Sequence, residues 1–228
     1  MERHVDQELA ELTRELLEMA SRAEAAISLS TRALLLRDPA LAEHVLRNDD
    51  RLNQLEVLID ERCMRLLALY QPEAGDLRFV AMALKITNDL ERIGDQAVNI
   101  AERSLELMHE PPLEPLLDLP ELAQHVQRML TGSVEAFVRR DAALAQSVCR
   151  QDDTIDGLDD QIFRQLLTYM LQDYRTITRA VHMILISRHL ERVADHATNI
   201  AEGVIYLVEG RQIKHHITEI HGAAQRPA

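Results

Sequence analysis

Residues 90–102 read LERIGDQAVNIAE, and one hundred residues on, residues 190–202 read LERVADHATNIAE, with nine of thirteen positions identical. A repeat of this kind fixes the architecture before any single element is assigned, because each copy must fold as the same unit. Working outward, residues 37–50 (RDPALAEHVLRNDD) recur as residues 140–153 (RDAALAQSVCRQDD), with nine identities in fourteen at an offset of 103. The three-residue difference is a deletion between the two blocks, and it falls where YQPEAGD (70–76) is answered by the shorter LQDYR (171–175). A loop absorbs such a change most easily.

Within each copy, apolar residues recur at helical spacing over three stretches, which predicts helices at about 8–36, 39–70 and 76–109, then 120–139, 142–172 and 176–208. Asp38 before Pro39 is a capping residue followed by proline at the first helical position, and Asp141 holds the equivalent cap in the second copy. Between the copies stand four of the seven prolines, Pro111, Pro112, Pro115 and Pro120, which end one helix, force extended backbone and open the next. The expected fold is all-α: two tandem antiparallel three-helix bundles related by the repeat. The first occupies 1–110, a Pro-rich linker 111–120, the second bundle 121–210, and a weakly patterned tail 211–228.

Composition agrees with that reading. The 228 residues are 46% hydrophobic but only 3% aromatic, without tryptophan, and carry seven glycines and seven prolines, a profile that disfavours turn-rich β folds. Acidic residues number 38 against 25 basic ones, a net charge of −13, so the surface field repels phosphate backbones and nucleic-acid binding is not expected. Cys63 and Cys149 stand alone on separate helices, in no metal or disulfide pattern, which fits a reducing compartment. The N-terminus is charged and helix-patterned, without an apolar signal core, and no apolar run approaches the roughly 18 residues that span a bilayer. A soluble cytoplasmic protein is expected.

At about 100° per residue, Glu91, Asp95, Asn99 and Glu102 fall at relative angles of about 0°, 40°, 80° and 20° and form one stripe. The second copy repeats it as Glu191, Asp195, Asn199 and Glu202. The same side carries Val80, Leu84, Val98 and Leu105, or Ala180, Ile184, Thr198 and Ile205, so the acids border an apolar face. The middle helices match, with Asp49, Asn53, Glu56 and Asp60 in one copy and Asp152, Asp156 and Asp159, with Asp160 adjacent, in the other. A hairpin turning near residue 73 sets Glu56 beside Glu91, and the same count sets Asp159 beside Glu191. Two facing carboxylate clusters follow, one per bundle. Carboxylates so gathered repel one another, so either they hold protons at raised pKa or a cation sits among them. All-oxygen ligands favour hard ions such as magnesium, manganese, calcium or oxidised iron, whereas zinc usually takes His or Cys as well.

His182, His189 and His196 recur every seven residues, but they project about 140° to 180° from Glu191 and read as an exposed or partner-facing surface. No Glu-x-x-His motif stands within either acidic stripe, against a ferritin-like oxidase. Gly-rich phosphate loops, nucleophile elbows and Cys–His dyads are missing too.

The sequence resembles the PhoU family, bacterial regulators of phosphate uptake, over about residues 8–210. The marks are Leu55-Glu56 with Ile59-Asp60, the loop Gln71-Pro72 through Asp76-Leu77-Arg78, the two LERxxDxxxNIxE segments, and Leu166-Leu167-Thr168-Tyr169-Met170. The resemblance implies two three-helix bundles whose ExxxD motifs bind multinuclear metal clusters of iron, manganese, magnesium or zinc. Its ligand pairs would be Glu56 with Asp60, Glu91 with Asp95, Glu191 with Asp195, and Asp156 with Asp160 or Asp159. One position departs from the pattern, since Phe163 stands where the first copy has Asp60. The resemblance also implies a homodimer without a transmembrane segment, peripheral to the inner membrane through its partners, that represses the phosphate regulon by linking the ATPase subunit of the phosphate ABC transporter to a sensor histidine kinase. The alternatives are a di-metal enzyme acting on a phosphate compound and a purely structural bundle with solvated acids.

Overall fold

The structure, a computed structural model, describes residues 2–113 and 118–210. The part of the linker at 114–117 and the tail at 211–228 lie outside the described residues. All regular structure among the described residues is helical: α1 (Glu2–Leu36), α2 (Pro39–Tyr70), α3 (Ala74–Met108), α4 (Leu119–Arg139), α5 (Ala142–Cys149), α6 (Asp152–Gln172) and α7 (Ile177–Glu209), with a single 3-10 turn at Tyr174–Thr176. Helices α1 to α3 pack on one another, α4 to α7 form the second bundle, and α3 lies against α7.

The heptad-like spacing of Leu12, Leu16, Met19, Ala23 and Ile27 buries one face of α1 against Leu52, Leu55, Ile59, Cys63 and Leu66 of α2 and the apolar side of α3. A bidentate ion pair reinforces it: Arg62 of α2 donates from Nε and Nη2 to the two oxygens of Glu15 at 2.7 Å and from Nη1 to Glu8 at 2.7 Å. Helix α4 supplies the matching face in the second bundle, with Leu122, Val126, Met129 and Leu130 buried.

Both bundles turn from their first helix to their second in the same way. Arg37 and Arg140 each take the left-handed conformation, φ 51°, and the next residue caps the following helix: Asp38 accepts from Ala40 N at 2.9 Å and Asp141 from Leu144 N at 3.0 Å. Glycine is the usual occupant of such a site. Here each arginine has a second task. The Arg37 guanidinium donates to the carbonyls of Leu107, Met108 and Glu110, at 3.0, 3.1 and 2.6 Å, at the C-terminal end of α3, where helix carbonyls run out of intrahelical donors. Arg140 lies over the Phe79 ring at 5.8 Å, and Phe79 of α3 stacks on Phe137 of α4 at 5.8 Å, tying one bundle to the other.

One expectation is corrected. The middle helix of the second copy, read as continuous over 142–172, is interrupted between α5 and α6 at Arg150 and Gln151. Gln151 N bonds to Val148 O, three residues back, instead of continuing the i−4 ladder. Thr154 and Gly157 replace Arg51 and Gln54 of the first copy, two weaker helix formers near the break. Asp152 and Asp153 then occupy the first turn of α6, where the helix dipole favours negative charge.

Helices α3 and α7 run antiparallel along the seam between the bundles. Gln96 meets His189 at 2.8 Å, and seven residues back on α3 and seven forward on α7, Asp89 meets His196 at 2.9 Å. Farther along, Glu106 lies 3.0 Å from His182. The histidine row thus faces α3 of the other bundle, an internal surface and not an open one. Burial and the nearby charges of Arg192 and Arg103 lower the His189 pKa, and its Nδ1 sits at hydrogen-bond distance from Gln96 Oε1. Gly203 permits the close approach of the helices, since a Cβ there would collide with Met82 Cε.

Candidate metal centre

The acidic stripes face each other across each α-hairpin. In the first bundle Gly94 lets α3 sit tightly on α2, because a Cβ at that position would lie 3.1 Å from Leu52 Cδ1. That contact sets Glu91 and Asp95 of α3 beside Asp49 and Glu56 of α2. Burial pushes the Glu91 carboxyl above its ordinary value, and the neighbouring charges of Asp95, Glu56 and Asp49 add to the shift while Arg92 opposes it. Asp49 is raised in the same way, by burial and then by Asp95 and Asp50, although Asn53 Nδ2 donates to it at 3.1 Å. Arg92 reaches Glu91 and Asp95 at 3.4 Å along its own helix, from an exposed position.

The second cluster joins Asp152, Asp156 and Asp159 of α6 to Glu191 and Asp195 of α7. Glu191 is raised by burial, then by Asp195, Asp159 and Asp156, with Arg188 opposing. Asp195, open to solvent on one side, is raised by the protein packed around it and by Asp152 and Asp156. Asp152 is buried and accepts from Thr198 Oγ1 at 3.3 Å. Asp159 is buried too, accepting from Ser187 Oγ at 2.6 Å and pairing with Arg188 Nη1 at 2.8 Å. Glu202 extends this cluster towards Cys149, whose thiol is pushed up to about 11, chiefly by burial and then by Glu202 and Asp152.

Two residues of the implied motifs stand apart. Asp60 is exposed, its carboxyl raised by the protein packed beside it, and its charge adds to the burial that pushes the Cys63 thiol up to about 12. Asp160 is exposed and pairs with Arg164 at 2.6 Å, one turn along α6. The other seven, Glu56, Glu91, Asp95, Asp156, Asp159, Glu191 and Asp195, fall within the two coupled groups. Asp49, Asp152 and Arg188 belong there as well. The acids were visible as members of the stripes; Arg188 shows only when the copies are compared at 88 and 188, where asparagine faces arginine. Among the described residues no three His, Cys, Asp or Glu side chains form a ready-made ligand set for an ion. The clusters are gatherings of oxygen donors, not closed cages.

The family model for the PhoU domain matches the chain twice, over residues 16–104 and 119–204. The chain belongs to the PhoU family. The phosphate-specific transport system accessory protein PhoU homolog of Aquifex aeolicus is 47% identical over 213 residues, covering 93% of this chain and 96% of that one. The crystal structure of PhoU from Pseudomonas aeruginosa superposes with a TM-score of 0.87 at 41% identity, covering 90% of this chain and 99% of the other. That of the phosphate transport system regulatory protein PhoU from Streptococcus pneumoniae gives 0.84 at 31%, with 92% and 100% covered. These PhoU relatives carry the names of accessory and regulatory proteins, not of enzymes. Among the described residues no helix is long and apolar enough to cross a membrane.

Proposed function

We propose that this PhoU chain is a metal-binding accessory protein that negatively regulates phosphate uptake, coupling a phosphate ABC transporter to a sensor histidine kinase. The observation that carries the metal part is the pair of facing carboxylate groups, in which burial and then neighbouring acids raise Glu91, Glu191 and Asp195, only partly offset by Arg92, Arg188 and Arg192. The donor set is all oxygen, which suits hard cations such as manganese, magnesium or iron.

Asp49, Glu56, Glu91 and Asp95 would hold an ion in the first bundle, and Asp152, Asp156, Glu191 and Asp195 in the second. A bound cation supplies positive charge that screens the repulsion between these groups. The residues themselves join α2 to α3 and α6 to α7, so their mutual repulsion acts against each hairpin, and any relief of it stiffens the pair of helices. The contacts of His189 with Gln96 and of His196 with Asp89 across the α3–α7 seam hold the two hairpins together. A rigid double platform of this kind suits an adaptor that acts by contact with other proteins, as a homodimer at the inner face of the membrane.

Deleting the gene should switch on phosphate-starvation genes in phosphate-rich medium, and re-expression should silence them. Re-expression of the Glu91→Gln, Asp95→Asn, Glu191→Gln, Asp195→Asn variant should fail to silence them although the protein accumulates normally. Unchanged repression in the deletion strain would refute the regulatory reading, and full silencing by the variant would refute the role of the clusters.

A further inference from the structure

Asp159 is the most deeply buried acid of either cluster, 3% exposed, and both its oxygens are engaged, one by the Ser187 hydroxyl and one by the Arg188 guanidinium. By the repeat, residues 159, 187 and 188 correspond to Glu56, Thr87 and Asn88. The first bundle lacks this arrangement. Glu56 is half-buried, Thr87 turns its hydroxyl back onto the Ala83 carbonyl at 2.8 Å, and Asn88 carries no charge. Arg92, the arginine of the first cluster, reaches Glu91 and Asp95 more loosely and from the outside.

We infer that Arg188 is a tethered cation of the second cluster, standing at Asp159 where a metal ion would otherwise bind, so that it restrains the uptake of metal by that cluster. The inference rests on the metal-binding reading above. An incoming ion gains less from a group of carboxylates that already contains a fixed positive charge, and it can use Asp159 only by displacing the guanidinium. Displacement is feasible because Arg188 is 50% exposed and can swing into water. Neighbouring Glu191 feels the same charge, which opposes the rise in its pKa. The second cluster is thereby able to exchange a closely held internal cation for an external one, whereas the first has the looser, outer Arg92 instead.

Titration of the full-length, metal-free chain with Mn²⁺, following the free-ion EPR signal, tests this. In a background where Glu91→Gln and Asp95→Asn silence the first cluster, Arg188→Asn should bind Mn²⁺ roughly tenfold more tightly, or take up a further ion. The same variant should be less stable without metal and should gain more thermal stability from Mn²⁺ than its parent does, which a merely structural arginine would not produce. Asn88→Arg, at an exposed position, should weaken Mn²⁺ binding at the first cluster about tenfold in the otherwise unchanged chain, and it decides the matter if Arg188→Asn does not fold. Mn²⁺ binding that neither substitution alters overturns the inference and leaves the metal reading standing. No Mn²⁺ binding in the parent or either variant overturns both.

Discussion

Glu91, Glu191 and Asp195 hold carboxyls raised above their ordinary values, first by burial and then by like charge. A raised pKa in the folded state means that the folded chain binds protons more tightly than the unfolded one. Stability of the metal-free protein therefore falls as pH rises from the ordinary carboxylate range, about 4, through the raised values. Glu91→Gln or Asp195→Asn should increase the unfolding free energy at pH 7 by about 0.5 kcal/mol, given partial solvent screening, and give no gain at about pH 4. Urea denaturation at the two pH values checks this. The acid stripes were legible because four residues a turn apart share a helix face whatever surrounds it. Asp60 and Asp160 each follow a cluster acid by one turn and are exposed: how far a helix is rolled against its neighbour decides which way such a residue looks, and spacing does not record the roll.

The helices and their caps were largely readable, since Asp38-Pro39 and Asp141 announce a helix start through local chemistry alone. The break between α5 and α6 was not, because it depends on small propensity losses at Thr154 and Gly157 that helical periodicity hides. Nor could the left-handed turns at Arg37 and Arg140 be read from residue type, as their arginines are supported by contacts some seventy residues away in one case and by Phe79 in the other. The join of α1 to α2 rests on a similar long-range contact. Arg62→Ala would leave the buried Glu15 carboxylate without its bidentate partner, and should cost about 3 kcal/mol of stability. Arg62→Met together with Glu15→Leu should recover most of that loss, because the stranded charge is then gone. Chemical denaturation of the three proteins gives the comparison.

At the scale of the whole molecule, two bundles of one family pattern are locked side by side through α3 and α7. The repeat made two similar units readable, but it could not say which faces meet, and so the histidine row looked like a surface open to a partner. Its role became visible once Asp89 and Gln96 were seen to occupy the same heptad positions on α3 that His189 and His196 occupy on α7. The seam can be tested by Gly203→Leu, which should destabilise the protein by about 2 kcal/mol through overpacking against Met82. Adding Met82→Ala should restore most of it, and thermal unfolding of the single and double variants measures the coupling. The proposed regulation depends on cations at the carboxylate clusters. The most direct test is elemental analysis by mass spectrometry of the chain purified without chelator or affinity-tag metal, beside the Glu91→Gln, Asp95→Asn, Glu191→Gln, Asp195→Asn variant. Stoichiometric manganese, iron or another hard metal in the parent and its loss from the folded variant is the predicted result. A metal-free parent that gains no stability from added Mn²⁺, Mg²⁺ or Fe³⁺ would contradict the account.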